Sequence, residues 1–152
     1  EQLSIEILGI SATNPHVMVG KVGEGLWRTD DGARTWRRLG SVDLTNAETA
    51  PKRMSVMELN TFLRERPADS QIVLDPSDDK ILYVVYAFGV ARSSDGGASW
   101  CLLNFGFDQL GSVTSLAINP LDPYEIFVGS DFGVFRSIDR GNTFRRIYPL
   151  RI

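Results

Sequence analysis

Three aspartates recur in one local pattern, and they are the residues of this sequence whose type and spacing could do chemistry. Each lies two residues after a Ser or Thr and five residues before a Trp or Phe, in the segments 29–36, 93–100 and 137–144. A carboxylate beside a hydroxyl could act in acid–base catalysis, but the same two groups could instead stabilise a tight turn. The residues around them decide between these roles.

The segments 29–36, 93–100 and 137–144, called the repeated turns below, each lie between short apolar runs that predict a β-hairpin. Their glycines permit positive φ, the hydroxyl and carboxylate can bond loop N–H groups, and the final aromatic ring can be buried. The pattern therefore predicts a structural role rather than a catalytic one. The residues with this predicted role are Thr29, Asp31, Trp36, Ser93, Asp95, Gly97, Trp100, Ser137, Asp139, Gly141 and Phe144.

The composition argues against several classes of protein. The 152 residues carry a net charge of −3, which gives no electrostatic basis for binding nucleic acid or an anionic membrane. One His and one Cys are too few for a zinc site and offer no Ser–His–Asp or Cys–His arrangement, so we expect no metal and no cofactor. No apolar run approaches the roughly 18 residues that indicate a transmembrane helix.

A second turn signal recurs with the repeated turns. The dipeptides Asn14-Pro15, Asp75-Pro76 and Asn119-Pro120 each follow a predicted first strand. Each unit then contains four short strands, with the repeated turn between the third and the fourth. We therefore predict an all-β chain of three four-stranded antiparallel blades, at about 3–40, 71–105 and 111–148.

The stretch 41–70 interrupts the repeat between the first and second blades. Ser55 and Glu58 have the spacing of a capping box, and Leu59, Phe62 and Leu63 fall on one face at helical spacing. We predict a short amphipathic helix over 56–66 that packs on the blades and ends before a proline.

The repeated turns resemble the Asp-box, or BNR repeat, of sialidases and related β-propellers, and 93–100 is the closest match of the three. Similar boxes occur in sortilin-type receptors, family-74 xyloglucanases and photosystem II assembly factors of the Ycf48 type. The resemblance implies a β-propeller in which the box is structural and lies away from the active site. It also favours an extracytoplasmic location, which the sequence otherwise leaves open.

The turns of such blades are divided between two faces. The turns after the first and third strands share one face, whereas the turns after the second strands and the links between blades share the other. In the related sialidases and xyloglucanases the face opposite the boxes carries the active site. The candidate binding residues on that opposite face are Lys21, Glu24, Phe88, Asp108, Gln109, Asp131 and Phe132.

Two functions are compatible with these candidates. Phe88 and Phe132 occupy equivalent turns and could form an aromatic platform for a peptide or a sugar, or pack against the insertion or a neighbouring blade. A glycosidase needs two carboxylates about 5 to 10 Å apart, and Glu24, Asp108 and Asp131 are eligible, although solvated turn carboxylates are the favoured explanation for all three. We predict a non-enzymatic binding or scaffold module. The alternative is a carbohydrate-active protein, either a glycoside hydrolase or a lectin-like sugar binder.

Three blades do not close a ring, because propellers contain roughly four to eight. The two uncovered blade faces would be apolar and costly to expose. We predict that two chains join head to tail as a six-bladed ring, or that other subunits or further blades of a longer polypeptide complete it. Arg28, Arg92 and Arg136, one before each repeated turn, are predicted to connect neighbouring blades.

Overall fold

The computed structural model describes residues 4–23, 25–40, 71–86, 89–103, 105 and 112–147. The predicted insertion at 41–70, including the helix over 56–66, lies outside the described residues, as does most of the link at 104–111. Within the described ranges, no helix has the length and hydropathy needed to cross a membrane.

In this part of the chain, twelve strands form three antiparallel sheets in which consecutive strands are neighbours. Sheet 1 contains β1 (Glu6–Ile10), β2 (Met18–Val22), β3 (Gly25–Thr29) and β4 (Arg37–Arg38). Sheet 2 contains β5 (Ile72–Leu74), β6 (Leu82–Tyr86), β7 (Gly89–Ser93) and β8 (Cys101–Leu102). Sheet 3 contains β9 (Val113–Ile118), β10 (Ile126–Ser130), β11 (Gly133–Ser137) and β12 (Arg145–Ile147). The prediction of an all-β chain with three four-stranded antiparallel units is confirmed.

The fourth strand of each sheet begins later than the sequence predicts. The pattern predicts fourth strands over 35–39, 99–103 and 143–147, whereas each observed strand begins two residues further on. The reason is visible at Thr143, whose backbone N–H donates to Asp139 Oδ1 at 2.8 Å. Because that amide is used inside the repeated turn, it is not available to the sheet.

Apolar side chains form two buried clusters, one at each contact between sheets. The cluster between sheets 1 and 2 contains Val19, Leu39, Ile72, Leu82, Val84, Ala91 and Trp100. The cluster between sheets 2 and 3 contains Ile81, Tyr83, Val85, Val90, Leu103, Phe105, Val113, Leu116, Ile126, Val128 and Phe135. Face-to-face packing of sheets therefore supplies the hydrophobic stabilisation of this fold.

Sheet 2 is buried on both of its faces. On β6, Leu82 and Val84 belong to the cluster shared with sheet 1, whereas Tyr83 and Val85 belong to the cluster shared with sheet 3. Successive residues of a strand point to opposite faces, so this continuous apolar run indicates a strand covered on both sides. Burial raises the pKa of Tyr83 to about 12, and its hydroxyl donates to the carbonyl oxygen of Arg140 at 3.3 Å.

Among the described residues, sheets 1 and 3 each have one covered and one exposed face. We call the face toward the preceding sheet the leading face and the face toward the following sheet the trailing face. On the leading face of sheet 1, Ile7 and Ile10 are 46% and 57% exposed. On the trailing face of sheet 3, Val134 and Ile147 are 38% and 37% exposed. Within the part of the chain that the structure describes, the three sheets thus leave apolar surface at both ends of the stack.

At each contact between sheets, a leucine of one sheet packs on a glycine in the repeated turn of the next. A β-carbon added to Gly97 would lie 2.5 Å from Cδ2 of Leu39, and one added to Gly141 would lie 2.8 Å from Cδ1 of Leu103. Both glycines also have positive φ, 92° and 86°. Glycine is therefore required here by the backbone conformation and by the neighbouring sheet.

We expect Gly97→Ala to lower the free energy of unfolding by about 2–4 kcal/mol, because it combines a strained backbone with a clash against Leu39. Gly23→Ala is the matched control: its φ is 57°, but nothing lies within 4 Å of the added β-carbon. That variant should cost only about 1 kcal/mol. Urea unfolding followed by tryptophan fluorescence measures both. Leu39→Ala in the Gly97→Ala background should recover part of the loss, and equal losses for the two glycine variants would contradict the packing argument.

Candidate functional site

Each repeated turn is built around one aspartate carboxylate. Asp95 Oδ1 accepts the Ser93 hydroxyl at 2.7 Å and the backbone N–H of Ser99 at 2.9 Å, and Asp95 Oδ2 accepts the Ser99 hydroxyl at 2.5 Å. Asp31 and Asp139 make the same three bonds in their own turns, at 2.5 to 2.9 Å. Both oxygens of each carboxylate are therefore engaged in holding a loop closed.

The hydroxyl that opens each repeated turn forms a second set of bonds. The Ser93 and Ser137 oxygens each accept the backbone N–H of the residue four positions on, both at 2.8 Å, and Thr29 does the same at 3.0 Å. That bond requires two successive left-handed residues in every turn. The pairs are Gly32 and Ala33, Gly96 and Gly97, and Arg140 and Gly141, with φ between 58° and 92°.

The repeated turn lies beside the turn that follows the first strand of the same sheet. The backbone N–H of Gly32 donates to the carbonyl oxygen of His16 at 3.0 Å, and that of Gly96 donates to Lys80 at 2.9 Å. In sheet 3 the equivalent bond runs from Arg140 to Tyr124 at 3.0 Å. One end of the strands is thus occupied by two hydrogen-bonded turns in every sheet.

Hydrogen bonding keeps the turn carboxylates charged far below neutral pH. Bonds from the hydroxyl and amide of Thr35 lower the pKa of Asp31 from its ordinary 3.8 to about 2. Burial raises the pKa of Asp95, but bonds from Ser99 outweigh it and bring the pKa to about 2. Burial also raises the pKa of Asp139, but hydrogen bonds from Thr143 outweigh it, so that the pKa is lowered. A general acid at neutral pH needs a raised pKa, so these aspartates are unsuited to that role.

The arginine before each repeated turn makes different contacts in the three sheets. Arg28 Nη1 donates to the carbonyl oxygen of Asp79 in sheet 2 at 2.5 Å, and Arg92 Nη1 donates to a carbonyl in the repeated turn of sheet 3 at 2.6 Å. Arg136 pairs within its own sheet, with Nε 2.7 Å from Glu125 Oε1. The prediction that these arginines connect sheets is confirmed for Arg28 and Arg92, whereas the contact found for Arg136 is internal to sheet 3.

An ion pair between the turns of neighbouring sheets was not predicted. Arg140 Nε lies 3.3 Å from Oδ2 of Asp75, whose side chain is fully buried, and Arg140 Nη2 donates to Ser77 Oγ at 2.9 Å. The guanidinium also lies over the Tyr124 ring, 4.3 Å from its centroid. A signal was present in the sequence, because Arg140 stands where the other two repeated turns have glycine. A long charged residue at a left-handed position indicates that its side chain is needed there.

The described candidate binding residues lie at the other end of the strands. Asp131 and Phe132 form the turn between β10 and β11, and Lys21 lies on β2 next to its turn into β3. The five residues of β10 place this end about 13 Å from the repeated turn. Glu24, Phe88, Asp108 and Gln109 lie outside the described residues. In the ranges that are described, no group of three or more His, Cys, Asp or Glu side chains is arranged to hold a metal ion.

Phe132 is exposed but held in a defined position. Its backbone N–H donates to Ser130 Oγ at 3.2 Å, while Asp131 bonds Ser112 twice, through its N–H at 3.0 Å and its carboxylate Oδ2 at 2.9 Å. The Phe132 side chain remains 43% exposed. Because Asp131 is engaged in fixing the loop, this corner offers an aromatic contact surface on a rigid support. It does not offer a free acid–base pair among its described residues.

No family model and no curated protein matches this chain. Among solved structures, the chain is similar to a GH74 enzyme from Niastella koreensis, with a TM-score of 0.60 and 17% identity over 95% of this chain and 22% of that one. It is also similar to YCF48 from Cyanidioschyzon merolae, with a TM-score of 0.55 and 13% identity over 100% of this chain and 40% of that one. A third similar structure is YCF48 bound to D1 peptide, with a TM-score of 0.54 and 16% identity over 95% of this chain and 41% of that one.

These likenesses establish the fold and nothing finer. The chain spans between about a fifth and two fifths of the length of each neighbour. At identities of 13 to 17%, only the architecture carries over. The three sheets are blades of a β-propeller, as the sequence predicts.

We expect the protein to lose stability as the pH falls from about 4 to about 2. In the unfolded chain, Asp31 and Asp95 bind a proton near 3.8, whereas in the fold they do so at about 2. Their stabilisation is therefore complete above the unfolded pKa and is lost as the pH falls through the folded pKa. Asp95→Asn should be less stable near neutral pH, by about 1 kcal/mol because solvent screens the exposed carboxylate, and should depend less steeply on pH in this window. Melting temperatures by circular dichroism measure both effects, and parallel pH curves for the two proteins would contradict the assignment.

Proposed function

We propose that this protein is a non-enzymatic binding or scaffold module whose contact surface is the face opposite the repeated turns. The observation that carries the proposal is the exposed, hydrogen-bonded Phe132 corner at the end of β10. Aromatic side chains, phenylalanine among them, are enriched at protein interfaces. The three repeated turns are, in this proposal, Asp-boxes that hold the blades in shape.

The acidic residues are hydrogen-bonded within their own loops, which supports a binding function over a catalytic one. Asp31, Asp95 and Asp139 use both carboxylate oxygens within their turns. Asp131, which lies on the proposed contact face, uses Oδ2 to fix its own loop. A glycosidase needs two carboxyl groups facing one cleft, and the described residues of this face supply no such pair.

The kind of ligand is suggested by one of the structural neighbours. YCF48 has been solved with D1 peptide bound, and a peptide or protein ligand suits an exposed aromatic side chain on a rigid turn. We therefore propose a protein segment as the ligand of this face. The second candidate is a carbohydrate, because one neighbour is a GH74 enzyme and an exposed aromatic ring can also stack on a sugar.

Further blades are part of the proposed assembly. The blade boundaries that we assign are about 3–40, 71–105 and 111–148, and a closed ring needs roughly four to eight blades. The exposed apolar faces of sheets 1 and 3 support completion of the ring by a second chain or by other subunits.

We expect Phe132→Ala to weaken binding of peptides selected by the wild-type protein from a display library by about tenfold or more. Leu121→Ala is the matched control, because Leu121 is 94% exposed and lies on the repeated-turn side of the same sheet. Fluorescence anisotropy with labelled peptides measures the change. Equal binding by both variants would contradict the assignment of the face. A glycan array that yields ligands sensitive to Phe132→Ala, with no selected peptide, would favour the carbohydrate alternative.

A further inference from the structure

We infer that the trailing face of sheet 3 is a socket for the leading face of sheet 1 from a second copy of this chain; this inference rests on the ring completion proposed above. The socket is the trailing-face part of a depression of about 490 Å³, and it is lined there by Arg136, Arg145 and Ile147. We call the corresponding surfaces of sheets 1 and 2, which the next sheet covers, the filled sockets. Those two filled examples show what the third one accepts.

The polar contacts of the filled sockets follow one rule. The carbonyl oxygen at the fourth position of a repeated turn accepts an arginine side chain from the preceding sheet. Arg37 Nη2 donates to Gly96 at 2.8 Å, and Arg92 Nη1 donates to Arg140 at 2.6 Å. The equivalent carbonyl in sheet 1 is that of Gly32.

One donor that would reach this carbonyl is present on sheet 3. The strand register pairs Arg28 with Arg37 in sheet 1 and Arg136 with Arg145 in sheet 3, so Arg145 occupies the place of Arg37. Arg145 is exposed on the trailing face. A second copy whose repeated turn entered the socket would offer its Gly32 carbonyl to this guanidinium.

The apolar contacts follow a second rule. Leu39 and Leu103 cover the glycine at the fifth position of the next repeated turn, and both leucines are buried. Ile147 lies at the corresponding place on sheet 3 and is exposed, because no described residue covers it. Val134, directly opposite Ile147 on β11, is exposed on the same face.

The leading face of sheet 1 is the matching apolar surface. Ile7 pairs with Gly20 and Ile10 pairs with Met18, so both isoleucines point toward a preceding sheet. At the equivalent position of sheet 2, Ile72 pairs with Val84 and is buried against sheet 1. The exposed isoleucines therefore occupy positions that become buried when another sheet is docked in front of them.

Two departures from the repeat are mutually consistent with this occupant. The fifth residue of the first repeated turn is Ala33, with φ of 71°, where the other turns have glycine. Its β-carbon would clash with a leucine placed as Leu39 is. The socket on sheet 3 carries isoleucine instead, which has one methyl group at its far end where leucine has two. In a head-to-tail pair of identical chains, the Ala33 β-carbon of one copy would therefore face Ile147 of the other copy rather than a leucine.

The experiment is a measurement of mass in solution by light scattering after gel filtration. The full chain should elute with twice its mass of 16.9 kDa. Ile147→Asp on the socket and Ile10→Asp on the leading face should each give a monomer, whereas Leu121→Asp should leave the pair intact. Circular dichroism checks that each variant is folded. If Ile147→Asp does not fold, Arg145→Glu serves as the socket variant in its place.

A cross-link tests the register of the contact. With Cys101→Ser removing the single cysteine, Ala33→Cys together with Ile147→Cys should give a covalent pair under oxidising conditions, whereas each replacement alone should give far less. In the filled sockets the leucine Cγ lies 3.2 Å from the added β-carbon of Gly97, which is within disulfide reach.

A monomeric wild-type chain would overturn the inference, and so would a pair that survives either isoleucine variant. A monomer that still binds peptides through Phe132 would overturn only this inference. A pair that binds no peptide would instead overturn the proposed binding function.

Discussion

The hydrogen bonds to the aspartate of each repeated turn are the interaction on which the rest of this structure depends. In the second turn, Asp95 draws the Ser93 hydroxyl and both donors of Ser99 to a single carboxylate. These bonds close the loop and set the start of the fourth strand, while the Ser93 hydroxyl accepts the Gly97 amide across two consecutive left-handed residues. The second of those residues presents a bare backbone to the preceding sheet, and a leucine packs on it. The carboxylate and the hydroxyl of one turn thus shape both a hairpin and a contact between blades.

The contact between sheets is the unit of stability in this fold. Each of these four-stranded sheets carries apolar side chains on both of its faces, and one sheet alone cannot bury them. Sheet 2 meets this requirement because its neighbours cover it on both sides, and β6 is correspondingly apolar at every position from Leu82 to Val85. Sheets 1 and 3 each remain uncovered on one side among the described residues. The same physical requirement that stacks the described sheets also favours further sheets at both ends.

The sequence predicted much of this architecture because turn chemistry is local. The Ser/Thr-x-Asp pattern and the Asn/Asp-Pro dipeptides mark the turns, and the strands follow from what lies between them. The strand ends were less predictable, because the amide of Thr143 could serve either the sheet or the turn. The pair between Arg140 and buried Asp75 joins residues far apart in sequence, and no local pattern reports such a partner. For the candidate site, the sequence identified Phe132 from its equivalence with another turn. It could not reveal that Ser112 and Ser130 would fix that corner.

In our proposal, the end of the strands that carries the repeated turns holds the fold, and the opposite end contacts a ligand. Asp139 and Phe132 belong to the same sheet but lie at opposite ends of its strands. The two roles can therefore be compared within one sheet. The measurement is the melting temperature of Asp139→Asn together with the affinity of its folded form for a peptide selected by the wild-type chain. The account predicts a lower melting temperature with unchanged affinity. An unchanged melting temperature with lost affinity would place the contact surface at the repeated turns and contradict it.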